Sequence, residues 1–328
     1  MKASNSNAWK RLLKTNKTHT PYIMSPKHLI LALLIMLCPI GMTAQTTITR
    51  NKPKPAVTRT KPKPRPKPVA KPKAKPTPRR NNTSLSSSTN HSDNTSSTTG
   101  LSAEINKLIS NMVYVSGGTF TMGGGTSEQG SEAYGSEKPT LSSYYICKYE
   151  VTQALWRDIM GNNPSYFKGD NLPVEQVSWN DCQTFINRLN SYTGRNFRLT
   201  TEAEWEFAAR GGNYSRHYKH SGSNYISDVA WYNDNSGNRT HPVGTKQANE
   251  LGLYDMIGNV YEWCSDWYGS YSSYSQTDPT GPSSGSCRVH RGGSWLTFDR
   301  YCRSAIRNYI APDFRYDNLG FRIVLSQL

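Results

Sequence analysis

Acidic residues are missing from the N-terminal part of this chain of 328 residues. Residues 1–80 hold 19 of its 39 Lys and Arg and no Asp or Glu. Residues 81–328 then carry 20 basic against 23 acidic residues, a formal charge of −3. The formal charge of +16 therefore belongs to one tail. The net charge of the rest gives no support to a nucleic-acid-binding face, and no nucleic acid is expected as a partner. A long hydrophobic run is missing too. The main apolar stretch, Leu29–Met42, has 14 residues, too short for a comfortable membrane span, which takes about 20. Cysteine is scarce at six residues.

What is present at the N-terminus reads as an export signal over residues 1–45. Met24-Ser25-Pro26-Lys27-His28 is a short basic segment, the apolar run follows, and Ala44 offers a small residue for cleavage. Met24 is the better translation start. Export places the chain in the periplasm or cell envelope, with an uncleaved N-terminal membrane anchor as the alternative. Cys38 does not read as a lipid-anchor site, because Leu37 precedes it where a small residue is needed. Residues 46–100 read as a disordered linker, Lys/Pro-rich and then Ser/Thr/Asn-rich. Lys61-Pro62-Lys63-Pro64-Arg65-Pro66-Lys67-Pro68 alternates a fixed φ with repelling charges, which favours an extended polyproline II rod of roughly 3 Å per residue. It serves as a solvated spacer or as a cationic contact to an anionic envelope polymer or lipid headgroups. After cleavage Cys147, Cys182, Cys264, Cys287 and Cys302 remain, an odd number that leaves at least one without an internal partner. Cys147 and Cys182 read as small buried core thiols.

Residues 101–328 are long enough for one sizeable core. The pattern is α+β with little regular secondary structure. Thr152 caps a helix ending at Met160 with Gly161 beyond it. Ser178 and Asp181 start a helix reaching about Leu189. Thr201 and Glu204 start another, with Gly211-Gly212 past its end. Strands fit Met112–Val115, Phe120–Met122, Tyr144–Glu150 and Phe321–Leu325. Between Gly211 and Asn318 the chain is mostly Gly, Asn, Ser, Asp and aromatic, with no long helical period. Irregular chain of that length needs buried aromatics, ions or disulfides to hold it.

Several motifs occur in order: Gly117-Gly118-Thr119-Phe120-Thr121-Met122-Gly123, Tyr149-Glu150-Val151-Thr152, Pro173-Val174-Glu175-Gln176-Val177-Ser178-Trp179 and Arg198-Leu199-Thr200-Thr201-Glu202-Ala203-Glu204-Trp205-Glu206. Then come Gly252-Leu253-Tyr254-Asp255-Met256-Ile257-Gly258-Asn259-Val260-Tyr261-Glu262-Trp263, Arg291-Gly292-Gly293-Ser294-Trp295 with Cys302, and Asn318-Leu319-Gly320-Phe321-Arg322. Together they resemble the formylglycine-generating enzyme, or sulfatase-modifying factor, family from about Met112 to the end. The resemblance implies one domain related to C-type-lectin-like folds, and calcium as a cofactor. Its better-defined ion site carries over to the Asp255 and Glu262 side chains with the Gly258 and Val260 carbonyls, a hard-oxygen set suited to Ca²⁺. A second, less alignable site falls near Asp228, Val229, Asn235 and Gly237.

In active members of that family two cysteines five residues apart bind Cu(I) and convert a substrate cysteine to formylglycine. Here the second matches Cys302, but the first is Thr297. A hydroxyl is a hard, weak donor where Cu(I) selects paired thiolates, so copper is not expected. Ser294, Trp295 and Arg303 would line the former active-site groove. Cys302 is expected in a structural disulfide with Cys264 or Cys287, with a buried thiol and a reactive or metal-binding thiol as alternatives. Ile186 and Ile323 stand where the animal enzymes have a disulfide, implying an apolar contact instead. The expected function is an exported non-oxidase binding or structural module of the envelope, whose groove takes a protein, peptide or glycan. The alternative is a formylglycine-generating oxidase acting on sulfatases.

Overall fold

Ser102 caps the first helix among the described residues. Its Oγ accepts from Ile105 N at 3.2 Å, and helix α1 runs Ala103–Ser110. The computed structural model describes residues 101–124, 137–272 and 274–326. The readings of residues 1–45 as an export signal and 46–100 as a linker lie outside the described residues. Among those residues, no helix is long and apolar enough to cross a membrane.

The helix signals at Thr152, Ser178 and Thr201 are all realised. Helix α2 (Gln153–Met160) is capped by Thr152 and ends at Gly161, φ 77°. Helix α3 (Trp179–Thr193) opens with a Ser178/Asp181 capping box and runs past Leu189 to Gly194. The Asn190 side chain both donates to Phe197 O and accepts from Phe197 N, so it docks the added turn onto the next strand. Helix α4 (Glu202–Ala209) has the Thr201/Glu204 capping box, and all eight of its residues are buried. A helix buried all round must satisfy its charges inside. Glu202 meets Arg307 at 2.6 Å, Glu204 meets Arg198 at 2.6 Å, and Glu206 meets Arg210 at 2.7 Å and also Arg291. A one-turn helix, α5 (Ile226–Val229), follows.

Two four-stranded sheets carry the core. The first is antiparallel: β1 (Met112–Val115), β4 (Tyr144–Cys147), β10 (Ile323–Ser326), β5 (Phe197–Leu199), in that order. The second is β8 (Arg307–Ile310), β7 (Arg288–Arg291), β6 (Tyr261–Trp267), β9 (Leu319–Phe321), with β6 and β9 parallel. A short pair, β2 (Gly118–Thr119) with β3 (Thr140–Leu141), stands apart. The strand expected over Phe321–Leu325 is two strands in different sheets, broken at Arg322. That buried guanidinium donates to the carbonyls of Cys147, Lys148 and Tyr254 at 2.8–3.0 Å. The same bonds explain why the strand expected over Tyr144–Glu150 stops at Cys147: a side chain satisfies the carbonyls that a neighbouring strand would otherwise take. Phe120–Met122 is not a strand. Phe120 turns its ring onto Phe207, centroids 5.1 Å apart, and only Met122 bridges, to Glu137.

One apolar cluster packs α2 and α3 on Trp263, Phe321 and Ile323; the Trp156 and Phe185 rings stack at 5.3 Å. Ile186 and Ile323 both lie in it, as an apolar replacement of a disulfide requires. The other cluster gathers Trp205, Phe207, Met256, Cys264 and Cys302.

Candidate functional site

The segment after β7 turns sharply because Gly292 and Gly293 both have left-handed backbones, φ 98° and 81°. A Cβ on Gly293 would meet Cys302 Sγ at 2.7 Å, so only glycine lets the chain pass over that sulfur. The turn delivers Ser294, Trp295 and Thr297 to one place. Thr297 Oγ1 accepts from Ser294 N at 3.0 Å, donates to Tyr261 OH at 3.1 Å and sits 3.0 Å from Ser294 Oγ. Ser294 Oγ also accepts from Asn318 Nδ2 at 3.1 Å. Trp295 is tied at both ends: Nε1 donates to Asp317 O at 3.1 Å, its carbonyl accepts from Ser236 Oγ at 2.8 Å, and its ring meets Phe167 edge-on.

Cys302 is fully buried, and its thiol points to the Thr297 carbonyl at 3.8 Å. Burial pushes the thiol up to about 12. Its carbonyl accepts from His220 Nδ1 at 2.7 Å, and His220 Nε2 lies 3.4 Å from Asp299 Oδ1. Burial holds the His220 pKa below its ordinary value. The expected disulfide is not formed. Cys302, Cys264, Cys147 and Cys182 are all free buried thiols. The Cys302 sulfur is enclosed beneath Gly293, and the Cys264 sulfur instead accepts from Thr200 Oγ1 at 3.8 Å. Cys147 and Cys182 are the core thiols their setting suggested.

Ser294, Trp295, Thr297 and Cys302 are all buried, so the residues of the expected groove form a closed floor. Arg303 beside them is half-buried, and its Nε has no hydrogen-bond partner. What reaches solvent is the rim: Phe298 is 53% and Tyr301 36% exposed, with the Arg300 guanidinium against both rings.

The residue span Asp255–Glu262 forms a second polar centre. Glu262 is committed: it pairs with Arg322 at 2.8 Å and accepts from Trp205 Nε1 at 2.8 Å. Asp255 Oδ2 accepts from Gly244 N at 2.7 Å, while its buried Oδ1 has no partner. Glu150 accepts from Asn259 Nδ2 at 2.7 Å and from Val260 N at 3.1 Å. Three buried carboxylates thus face one guanidinium. Burial pushes Asp255 up to about 6 and Glu150 well up. Only glycine fits at position 258, where φ is 84° and a Cβ would fall 2.5 Å from Trp231 O. The residues named for a second ion are spent locally. Asp228 Oδ2 accepts from Ser223 Oγ, Asn235 bonds Tyr232 N and Ala230 O, Val229 is buried and Gly237 is exposed. Among the described residues no cluster of three or more His, Cys, Asp or Glu side chains could hold a metal.

The family profile described as sulfatase-modifying factor enzyme 1-like domain matches residues 98–327. The chain belongs to the formylglycine-generating enzyme family. It is 37% identical over 224 residues to chaperone protein LppX of Paenibacillus barcinonensis, covering 53% of this chain and 77% of that protein. It is 36% identical over 194 residues to the mouse formylglycine-generating enzyme, covering 54% of this chain and 50% of the enzyme. The chain therefore spans about half the length of that enzyme. The solved structure of Treponema denticola variable protein 1 superposes with a TM-score of 0.61 at 34% identity, covering 66% of this chain and 95% of that one.

Against the family's copper chemistry the residues do not fit. Thr297 supplies no sulfur, and its hydroxyl is spent on Ser294 and Tyr261. Against the family's calcium the fit is partial: the open Asp255 oxygen suits a cation, while Glu262 already has Arg322. Sequence reasoning singled out Thr297, Cys302 and Ser294 but missed Tyr261, His220 and the unspent Asp255 oxygen. Tyr261 stood inside a quoted motif. His220 carried no signal, because it reaches Cys302 from 82 residues away in the chain.

Proposed function

We propose that this chain is an exported, non-oxidase member of the family, which binds a protein or peptide partner over the Phe298–Tyr301 rim. One observation carries the reading. The Thr297 hydroxyl is locked to Ser294 and Tyr261 beside the single buried Cys302 thiol, so the paired thiolates that Cu(I) selects are not both present. Exposed aromatics flanking an arginine are the residue types that anchor interfaces. The chaperone name of the Paenibacillus relative is in keeping with a binding role. The Lys/Pro segment would hold the domain against an anionic envelope polymer or lipid headgroups, and a calcium ion at Asp255 would brace it. The identity to the mouse enzyme keeps formylglycine generation as the second reading.

The test has two arms. Reduced, copper-loaded full chain is incubated in air with a Cys-X-Pro-X-Arg peptide, and the peptide mass is followed. No conversion to the aldehyde is expected, and robust turnover would overturn the proposal. Immobilised wild type and a Phe298→Ala/Tyr301→Ala variant are then compared on envelope extract. A partner retained by the first and lost by the second is expected. Identical recoveries, or an intact N-terminus found only in the cytoplasm, count against it.

A further inference from the structure

A cavity of about 430 Å³ opens between the 168–172 segment and the 239–242 segment. We infer that it binds a carboxylate carried on an apolar body. Thr240 lines it, is 1% exposed, and has an enclosed Oγ1 with no hydrogen-bond partner. Buried hydroxyls almost always have one, so a small shift of this wall on binding would let the hydroxyl meet a group in the cavity. Lys168 and Arg239 also line it, and neither forms an ion pair among the described residues; the Lys168 ammonium donates to Asn163 O at 2.9 Å. The single lining acid, Asp170, is taken by Arg157 at 2.9 Å. The cavity therefore presents two exposed cationic side chains, with the unspent Thr240 hydroxyl enclosed in its wall. An arginine fork suits a carboxylate in two-point contact. Leu172 and Pro242 supply hydrocarbon walls, which suit a hydrocarbon body better than a bare inorganic anion.

The walls are built before anything binds. Gln153, fully buried, donates to Phe167 O at 2.7 Å and Pro173 O at 3.1 Å and accepts from Gly169 N at 3.2 Å, which shapes the first wall. His241 shapes the second: its amide donates to Asn259 Oδ1 at 2.9 Å and its ring stacks on Trp231 at 3.7 Å. Val243 N donates to Asn171 O at 3.0 Å and ties the two walls together. Such preorganisation lowers the cost of ordering on binding.

Calorimetric titration of the full chain with hippurate, with its neutral amide hippuramide and with inorganic phosphate tests the assignment. Hippurate is expected to bind, hippuramide at least about tenfold more weakly, and phosphate more weakly than hippurate. Arg239→Gln, at an exposed position, is expected to weaken hippurate about tenfold with an unchanged melting temperature. Thr240→Val is expected to weaken it severalfold. Equal binding of hippurate and hippuramide, preference for phosphate, no hippurate binding, or full affinity in Arg239→Gln each overturns the inference. None of these outcomes bears on the Thr297 and Cys302 reading.

Discussion

Cys302 shows how far one side chain's setting decides its chemistry. A thiolate, not a thiol, ligates soft metals and attacks electrophiles. Full burial beneath Gly293 pushes Cys302 up to about 12, so at neutral pH the sulfur is a small hydrophobe with a weak donor. The native chain at pH 8 is therefore expected to resist iodoacetamide at Cys302 and to be labelled there once unfolded in guanidinium. Peptide mass spectrometry reads both states, and labelling of native Cys302 at the unfolded rate would refute the burial argument. The residue type at 297 was legible from motif spacing alone. Where its hydroxyl goes was not, because Tyr261 lies 36 positions away in the chain and arrives only with β6.

At the scale of elements, α4 is the informative case. Its start was legible in Thr201 and Glu204, since a capping box is a local pattern of side chain and amide. Its complete burial was not, because nothing local to Glu202, Glu204 and Glu206 records which distant arginines pair their charges. Arginines from β5, β7, β8 and the helix's own C-cap pair those charges inside. Strand β6 adds Asp266, whose carboxylate accepts from Glu202 N at 2.9 Å. Burial first, and then the nearby Glu202 charge, push Asp266 up to about 7. A carboxyl raised on folding keeps its proton longer in the native state. Its contribution is full below the unfolded value near 4 and is lost as pH rises through about 7. Urea unfolding of wild type is expected to show stability falling between pH 4 and pH 7.5. Asp266→Asn keeps the acceptor for Glu202 N and is expected to remove up to about 4 kcal/mol of that fall. Parallel slopes for the two proteins would contradict the assignment.

At the scale of the whole molecule, Arg322 joins the two sheets. It occupies the break between β9 and β10, satisfies three carbonyls, and pairs with Glu262. Around it Glu150, Asp255 and Glu262 crowd three buried carboxyls, two of them pushed up by burial, and a bound cation would favour their charged forms. Melting in calcium is therefore expected to exceed melting in chelator at neutral pH. A ligand present at 100 times its Kd adds roughly 2.7 kcal/mol when it binds only the native state. Asp255→Asn is expected to abolish the difference. Glu262→Gln is expected to lower stability in both conditions by about 3–5 kcal/mol, because it leaves Arg322 buried without its partner. Equal melting of wild type with calcium and with chelator would remove the cation from the account. The family, the α+β class, the three capped helices and the missing thiol at 297 were determined by the sequence itself. Each rests on residue types at short, fixed spacings. The free state of Cys302, the closed floor beneath the aromatic rim, the unspent oxygens of Asp255 and Thr240 and the pairing of the α4 glutamates were decided only in three dimensions. Burial and hydrogen-bond partnership depend on segments distant in the chain, and no local spacing records which of them meet.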